Sequence, residues 1–244
     1  MSFGLSRGKG FDISPGVVMV SDEELPPLPD DVMTNPHAGR LDPRRWFTLR
    51  ADDPSRRFEI EIGSGKGTFL IQHAPTTPET DYLGIEWAGE FCNYAADRVR
   101  RAQLGNVRML RTDATAFLKW RVPAGIADVI HLYFSDPWPK SRHHKKRVVQ
   151  DSFLADTWRV LKPGGELRVV TDHDGLWAWD REHFDRWCDS GPCPGHEGPV
   201  PAFTEEAFSK PDSVGEGELV GTNFERKFRE EGRSFHSTVL RKPV

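Results

Sequence analysis

Short apolar runs recur along the middle of the chain, separated by longer segments of mixed polarity. The runs predict strands at residues 58–62, 81–86, 106–111, 127–134 and 166–171. Between the second and third runs, Phe91, Ala95 and Val99 recur at helical spacing, which predicts a helix over residues 88–104. The other intervening segments predict helices at residues 68–73, 114–120, 148–161 and 176–188. Strand and helix alternate in the manner of parallel βαβ units, so we expect an α/β fold with a mostly parallel sheet.

The two ends of the chain follow other patterns. Residues 1–57 are rich in proline and predict an N-terminal arm that is partly disordered, with a tail of no function as the alternative. Residues 189–221 are rich in glycine and proline without a clear period. A short amphipathic segment at 223–231 predicts a helix, and the run at 234–240 predicts an antiparallel strand at the edge of the sheet. We therefore expect an ordered domain over residues 58–244.

Composition excludes several classes of protein. The residues are 37% hydrophobic and 29% charged, and no run approaches the roughly 20 apolar residues that span a bilayer. The start of the sequence lacks the apolar stretch of a signal peptide, and three cysteines are too few for a disulfide framework. Cys188 and Cys193 alone do not complete a zinc site, so we predict no metal. These features predict a cytoplasmic protein. The net charge of −4 excludes a uniformly basic surface but not a local basic patch.

A glycine-rich turn follows the first predicted strand. An acidic residue lies at or next to the carboxyl end of this strand and of each of the next two. The turn holds Gly63, Gly65 and Gly67, which let the backbone bend sharply and approach a ligand. Glu61 precedes the turn, Glu86 ends the second strand and Asp113 follows the third, so all three acids are expected at one crevice. A plain strand–helix turn is the structural alternative.

The acids favour a cationic ligand over a phosphate-bearing one. Glu61 would repel a pyrophosphate, which argues against NAD without excluding it, whereas S-adenosyl-L-methionine carries a sulfonium, an ammonium and a ribose but no phosphate. We therefore assign Glu61 to the methionyl end of that cofactor, Glu86 to the ribose and Asp113 to the adenine region.

A stiff acidic segment follows the fourth predicted strand. Asp136 begins the sequence Asp-Pro-Trp-Pro-Lys, in which two prolines restrict the backbone around Trp138. Residues 140–147 then carry five Lys or Arg, two His and no acid. A basic run beside an aromatic ring is typical of a phosphate-binding surface, and a solvated surface is the alternative.

These motifs together resemble those of the bacterial tRNA (guanine-N7)-methyltransferases. The resemblance rests on EIGSGKG at 61–67, GIEW at 84–87, SDPWPKSRHHKKR at 135–147, LKPGGELRVVTDH at 161–173 and TNFERKFREEG at 222–232. It covers roughly residues 58–241. It implies a Rossmann-like class I methyltransferase, with a mostly parallel seven-stranded sheet, one antiparallel edge strand and helices on both faces. It also implies transfer of a methyl group from S-adenosyl-L-methionine to N7 of a guanosine in tRNA, at position 46 of the variable loop.

The resemblance further implies roles for individual residues. Asp136 would act at the cofactor and in catalysis. Substrate contacts are implied for Lys140, Asp172, Thr222, Asn223, Phe224 and Glu225. Contacts with RNA are implied for Arg142, His143, His144, Lys145, Lys146 and Arg147. The sequence departs from the family at Ser135, where proline is usual.

Other interpretations of these residues stay open. Thr222 and Glu225 also fit the N-terminal cap of an ordinary helix. The whole domain could instead be a class I methyltransferase acting on a protein or a small molecule, or an RNA-binding relative without catalysis. The glycine turn with its acids argues against the last of these.

Overall fold

The computed structural model describes residues 10–14 and 18–244, and its sheet has eight strands in this part of the chain. In chain order the strands are β1 (Met19–Ser21), β2 (Arg57–Ile62), β3 (Thr80–Ile85), β4 (Val107–Arg111), β5 (Ala127–Tyr133), β6 (Leu161–Thr171), β7 (Thr204–Glu206) and β8 (His236–Arg241). The α-helices are α1 (Thr68–His73), α2 (Gly89–Arg101), α3 (Ala114–Trp120), α4 (Asp151–Val160), α5 (Asp174–Cys188) and α6 (Asn223–Glu230). Short 3₁₀ helices lie at Asp22–Glu24, Pro43–Trp46, Thr48–Ala51, Ala74–Thr76 and Ser141–Lys146.

The sheet order is β1-β4-β3-β2-β5-β6-β8-β7. From β2, the strands β3 and β4 are added on one side, and β5 and β6 on the other. All pairs from β1 to β6 are parallel, whereas β8 runs antiparallel to both β6 and β7. In such a sheet the crevice beyond the carboxyl ends of the central strands is the usual ligand site. The loops after β2, β3, β4, β5 and β6 all open there.

Two hydrophobic clusters cover the two faces of the sheet. One gathers Phe58 and Ile60 of β2 with buried residues of α3, α4 and α5. The other gathers Tyr82 of β3 with buried residues of α1 and α2. The alternation of side chains along the strands therefore supplies both cores, as expected when helices cover both faces.

The predicted fold class is confirmed, but the predicted strand count of seven is wrong. The sequence pattern predicted six of the eight strands, and the two that it missed, β1 and β7, have three residues each, too few to show a period. Strand β7 also displaces β8 from the edge of the sheet, where the sequence predicted it. Both strands complete an existing edge, so their formation depends on the neighbouring strand more than on their own composition.

Part of the predicted N-terminal arm contributes to this domain. Phe47 is buried and contacts the ring of Phe58 edge-on, at 6.0 Å between ring centroids. Arg50 and Arg56 each donate to the buried Asp81 carboxylate, at 2.9 Å and 2.8 Å. The rest of the arm at 1–9 and 15–17 lies outside the described residues, and a boundary at residue 57 stays a prediction.

Candidate active site

The glycine turn after β2 forms an open backbone cradle. Gly63, Gly65 and Gly67 have φ values of 74°, 52° and 67°, a region that favours glycine. A Cβ atom at Gly63 or Gly65 would meet nothing within 4 Å, whereas one at Gly67 would lie 3.0 Å from Ala95 Cβ. The turn is therefore packed against α2 at its end and open toward the crevice at its start.

Glu61 lies beneath this turn with an unsatisfied carboxylate. Its side chain is buried, and Oε2 has no hydrogen-bond partner among the described residues. Burial raises the pKa of Glu61 to about 8, and the neighbouring Glu86 carboxylate adds to the rise. A buried carboxylate without a partner is costly, so a cation or hydrogen-bond donor at this position would be strongly favoured.

Glu86 is fixed by backbone donors on both sides. Its Oε2 accepts from the Gly65 N–H and its Oε1 accepts from the Ala88 N–H, both at 2.8 Å. The carboxylate thus joins the glycine turn to the start of α2. Burial raises the pKa of Glu86, and the charge of Asp136 raises it further. Each oxygen keeps a lone pair, so the group can still accept from two ligand hydroxyls.

Asp113 begins α3 at the third strand end. Its Oδ1 accepts from the Ala116 N–H at 2.9 Å and from the Thr115 hydroxyl at 2.6 Å. This is an N-terminal helix cap, which holds the exposed carboxylate in one orientation. Its Oδ2 accepts no hydrogen bond from any described residue.

The loop after β5 presents Asp136 in a constrained backbone. Phe134 and Trp138, on either side of it, have φ values of 54° and 42°, which are unusual for residues with a side chain. Asp136 is exposed, and its carboxylate has no hydrogen-bond partner in the described part of the chain. Its negative charge contributes to the raised pKa of Glu86, so the two carboxylates act on each other across the carboxyl ends of β3 and β5.

The basic run after this loop divides into an exposed part and a buried residue. Lys140, Arg142 and Lys145 are exposed, and none of the three has a carboxylate partner. Lys146 Nζ lies 4.6 Å from the ring centroid of Trp138, so the ring carries a cation on its face.

The two histidines of the run are half-buried against tryptophans. His143 meets Trp138 edge-on at 5.7 Å between ring centroids and accepts from Arg142 Nε at 3.2 Å. His144 packs on Trp179 at 5.5 Å. Both stiffen the run, and the cations beside them face solvent.

Arg147 is not part of that exposed group. It is buried, and its Nε donates to the Pro137 carbonyl at 3.0 Å while Nη1 donates to the Gly175 carbonyl at 3.1 Å. The guanidinium also lies 5.3 Å from the Trp179 ring. The structure therefore uses Arg147 to fasten the Asp136 loop to the start of α5.

The segment before α6 is shaped by two of the predicted substrate residues. Thr222 Oγ1 accepts from the Glu225 N–H at 3.1 Å, which makes Thr222 the helix cap that the sequence left open as an alternative. The Glu225 carboxylate is fully buried and accepts from the backbone N–H groups of Leu219, Val220 and Gly221 at 2.5–2.9 Å. Both side chains are engaged within the protein, whereas Asn223 and Phe224 are exposed.

Helix α6 and the segment after it pack against the start of the Asp136 loop. Phe228 and Phe235 contact the ring of Phe134, at 6.0 Å and 5.8 Å between ring centroids. Asp172, at the end of β6, accepts from Arg233 Nη1 at 2.5 Å. Phe224 contacts Phe228 at 5.9 Å between ring centroids, so it adjoins the Asp136 loop through that ring.

Gln72 is a contact that the sequence analysis missed. Its Nε2 donates to the Gly221 carbonyl at 3.0 Å, and its Oε1 accepts from Arg226 Nη2 at 2.9 Å. The amide therefore ties α1, which starts at the glycine turn, to the start of α6. Its only sequence signal is a polar residue inside an apolar helix, which is too common to single out.

Among the residues that the structure describes, neither a metal-binding cluster nor a membrane-spanning helix is found. No group of three or more His, Cys, Asp or Glu side chains there could hold a metal ion. No helix in the same ranges is both long and apolar enough to cross a membrane.

Comparison with known proteins gives consistent results. The family model described as "Putative methyltransferase" matches residues 55–193. A tRNA (guanine-N(7)-)-methyltransferase of Streptococcus equi subsp. equi is 38% identical over 157 residues, which are 63% of this chain and 73% of that protein. The protein of the same description from Streptococcus pyogenes serotype M6 is 33% identical over 197 residues, covering 76% of this chain and 92% of its own.

Solved structures agree on the fold. The aminoglycoside resistance methyltransferase NpmB1 matches with a TM-score of 0.52 at 18% identity, covering 83% of this chain and 94% of its own. An antibiotic-related methyltransferase matches with a TM-score of 0.52 at 15% identity, covering 90% and 96%. At these identities the likeness concerns the architecture alone.

Proposed function

The chain belongs to the tRNA (guanine-N(7)-)-methyltransferase family, and we propose that it methylates N7 of a guanosine in tRNA, using S-adenosyl-L-methionine. The observation that carries this proposal is the convergence of four features at one sheet edge. These are the open glycine cradle, the buried Oε2 of Glu61 without a partner among the described residues, the ribose-compatible Glu86 and the free Asp136 carboxylate. By resemblance to the family, we propose the variable-loop guanosine at position 46 as the target.

The residues present fit S-adenosyl-L-methionine. Glu61 offers its free Oε2 to the ammonium at the methionyl end, and the open faces of Gly63 and Gly65 leave room for that end of the ligand. Glu86 offers acceptors to the ribose hydroxyls, and Asp113 offers its Oδ2 near the adenine. When bound, this cofactor supplies an electrophilic methyl group on a cationic sulfur.

The chemistry asks little of the protein beyond placement. Guanine N7 already carries a lone pair, so no general base is needed to create the nucleophile. Holding the two reactants in line should therefore supply most of the rate enhancement. Methyl transfer moves positive charge onto the guanine ring, and a fixed carboxylate stabilises that charge as it develops.

Asp136 is the group placed to do this. Its carboxylate is unpartnered and held by a backbone with two unusual φ values, so it need not break another contact to act. A carboxylate on this side of the crevice, Asp136 or Asp172, can also accept from guanine N1–H and the exocyclic amine. Adenine offers no such pair of donors, which favours guanine as the substrate.

The exposed cations beside the loop supply the contact with RNA. Lys140, Arg142, Lys145 and Lys146 are proposed to bind phosphates, and Asn223 and Phe224 to contact the target nucleotide. Asp172 is proposed to contact the guanine, whereas Thr222 and Glu225 act by shaping the segment that carries Asn223. Because tRNA is the substrate, we also propose that the protein works in the cytoplasm.

The test is methyl transfer from labelled S-adenosyl-L-methionine to unmodified tRNA, followed by nucleoside analysis. We expect label in 7-methylguanosine, and none in a tRNA whose guanosine 46 is replaced by adenosine. Label in another guanosine would contradict the assignment to position 46 but not the proposed reaction. Label in protein or in a small molecule, or cofactor binding without any transfer, would contradict the proposed reaction. The Asp136→Asn variant is the matched control for non-enzymatic methylation.

A further inference from the structure

The side chain of Arg233 pairs with the Asp172 carboxylate and lies over the ring of Phe228. Its Nη1 donates to Asp172 Oδ2 at 2.5 Å, and its Nη2 pairs with Glu231 at 2.6 Å. The guanidinium carbon lies 4.2 Å from the ring centroid of Phe228. A planar group with N–H donors thus lies over an aromatic ring and donates one N–H to a carboxylate at the edge of that ring.

This aromatic–carboxylate pair stands next to the Asp136 loop. Tyr133 pairs with Val170 in the sheet, so Asp136 and Asp172 extend from the ends of adjacent parallel strands. The Phe228 ring contacts Phe134, two residues before Asp136. The pair therefore faces the position where the methyl acceptor must lie if Asp136 acts in the reaction.

The chemistry of the Arg233 guanidinium indicates which ligand Asp172 and Phe228 can bind. The Watson–Crick edge of guanine, with N1–H and the exocyclic amine on one carbon, has the donor pattern of a guanidine. A site that stacks a guanidinium and binds its N–H groups can do the same for guanine. Adenine offers an acceptor at N1 and fits the carboxylate poorly.

Building on the proposed function, in which Asp172 contacts the guanine, we propose that Arg233 is a displaceable occupant of this site and that Phe228 is the ring on which the base stacks. In the free protein the arginine side chain takes the place of the target base. When tRNA binds, the base replaces the guanidinium, which remains paired with Glu231. Arg233 thereby competes with the substrate and keeps the carboxylate satisfied between turnovers.

The structure allows this exchange without unfolding. The Arg233 N–H donates to the Phe228 carbonyl at 3.0 Å, and Gly232 has a φ of 71°, so the backbone is fixed in a helix-ending turn. Only the side chain must rotate, and it is 42% exposed. Exposed ion pairs are weak and are screened by salt, so the occupant competes modestly.

The experiment compares Arg233→Ala with the parent protein and with Arg186→Ala. Arg186 is similarly exposed and paired with Asp151, and it lies near the end of α5 that is remote from the crevice. Binding of guanosine and of adenosine is measured by NMR titration, and the KM for tRNA is measured at 0.15 M salt. We expect Arg233→Ala to bind guanosine about three- to ten-fold more tightly, to gain less for adenosine, and to lower the KM for tRNA by a similar factor. Arg186→Ala should match the parent.

The contrary outcomes are distinct. Unchanged or weaker guanosine binding in Arg233→Ala would overturn the inference, because the site would not be blocked by the arginine. A raised KM with a flatter salt dependence would instead make Arg233 a phosphate contact. A Phe228→Leu variant that binds guanosine as the Arg233→Ala protein does would exclude the stacking role. If the parent makes no 7-methylguanosine, the proposed function fails, and the nucleoside titration still judges this subsite.

Discussion

The crevice has two halves that are held together by different kinds of contact. On the side of β2, β3 and β4, the backbone fixes the carboxylates, as for Glu86 between two N–H groups and Asp113 at its helix cap. On the side of β5, β6 and α6, the contacts join side chains from distant parts of the chain, as for Arg233 with Asp172 and Phe228 with Phe134. The first half is held by backbone hydrogen bonds, whereas the second depends on side-chain contacts, one of which, between Arg233 and Asp172, we propose to be exchangeable.

This difference matches what each half is proposed to bind. A cofactor is small and the same in every turnover, so a preorganised backbone site loses little entropy on binding it. A tRNA is large and enters from outside, so its half must allow side chains to move aside. We therefore expect substitutions on the first side to change cofactor affinity, and those on the second to change turnover or tRNA binding.

The largest effect is expected for Asp136→Asn. The shape of the loop is kept, but the charge facing the guanine is lost, and removal of one such stabilising group typically lowers kcat about 10²- to 10³-fold. Cofactor affinity should change by no more than a few-fold. Single-turnover methylation and calorimetry with S-adenosyl-L-homocysteine measure the two effects. A kcat within a few-fold of the parent would remove Asp136 from the mechanism.

The next largest effect is expected for Glu86→Ala. It removes a charged acceptor from the ribose and also frees the N–H groups of Gly65 and Ala88. Hydrogen bonds to charged groups contribute about 1.5–3 kcal/mol, so the cofactor Kd should rise roughly ten- to a hundred-fold. Glu86→Gln keeps the shape but only one acceptor oxygen, so its NH2 group would oppose the N–H of Gly65 or Ala88, and it should also weaken cofactor binding. Unchanged affinity by calorimetry in Glu86→Ala would mean that the ribose lies elsewhere.

The sequence predicted the first half of the crevice better than the second. Strand ends follow from local apolar runs, so the positions of Glu61, Glu86 and Asp113 at one edge could be inferred. The inward turn of Arg147 could not, because it depends on Trp179 and on the Gly175 carbonyl of a distant helix. Likewise the T-x-x-E pattern indicated a cap at Thr222, but nothing local indicated that Glu225 would accept from three backbone N–H groups.

A smaller effect is expected when the exposed cations are removed together. The triple variant changes Lys140, Lys145 and Lys146 to Ala and should lose three phosphate contacts. The slope of log affinity for tRNA against log salt concentration should therefore become flatter by about 2 to 3. Affinity at 0.1 M salt should fall about ten-fold, while the cofactor Kd stays the same.

The matched control for this triple variant removes three exposed cations that lie away from the Asp136 loop and have no carboxylate partner. These are Arg45, Lys119 and Lys210. Both triple variants lower the net charge equally, so a general electrostatic effect would alter both slopes alike. Equal slopes for the two variants would contradict a specific phosphate surface beside Trp138.

The last prediction concerns stability rather than activity: the effect of Glu61→Gln on the Tm of the free protein should depend on pH. The folded pKa of about 8 lies above the ordinary value of 4.5, because burial disfavours the charged carboxylate. The stability that the protonated group contributes is therefore complete below pH 4.5 and is lost as pH rises through 8. Glutamine does not titrate, so the Tm of the variant relative to the parent should rise by a few degrees between pH 5 and pH 9, as measured by calorimetry. Cofactor binding should reverse the order, since its ammonium pairs with the ionised Glu61. A Tm difference that does not change with pH would mean that Glu61 already has a partner in the free protein.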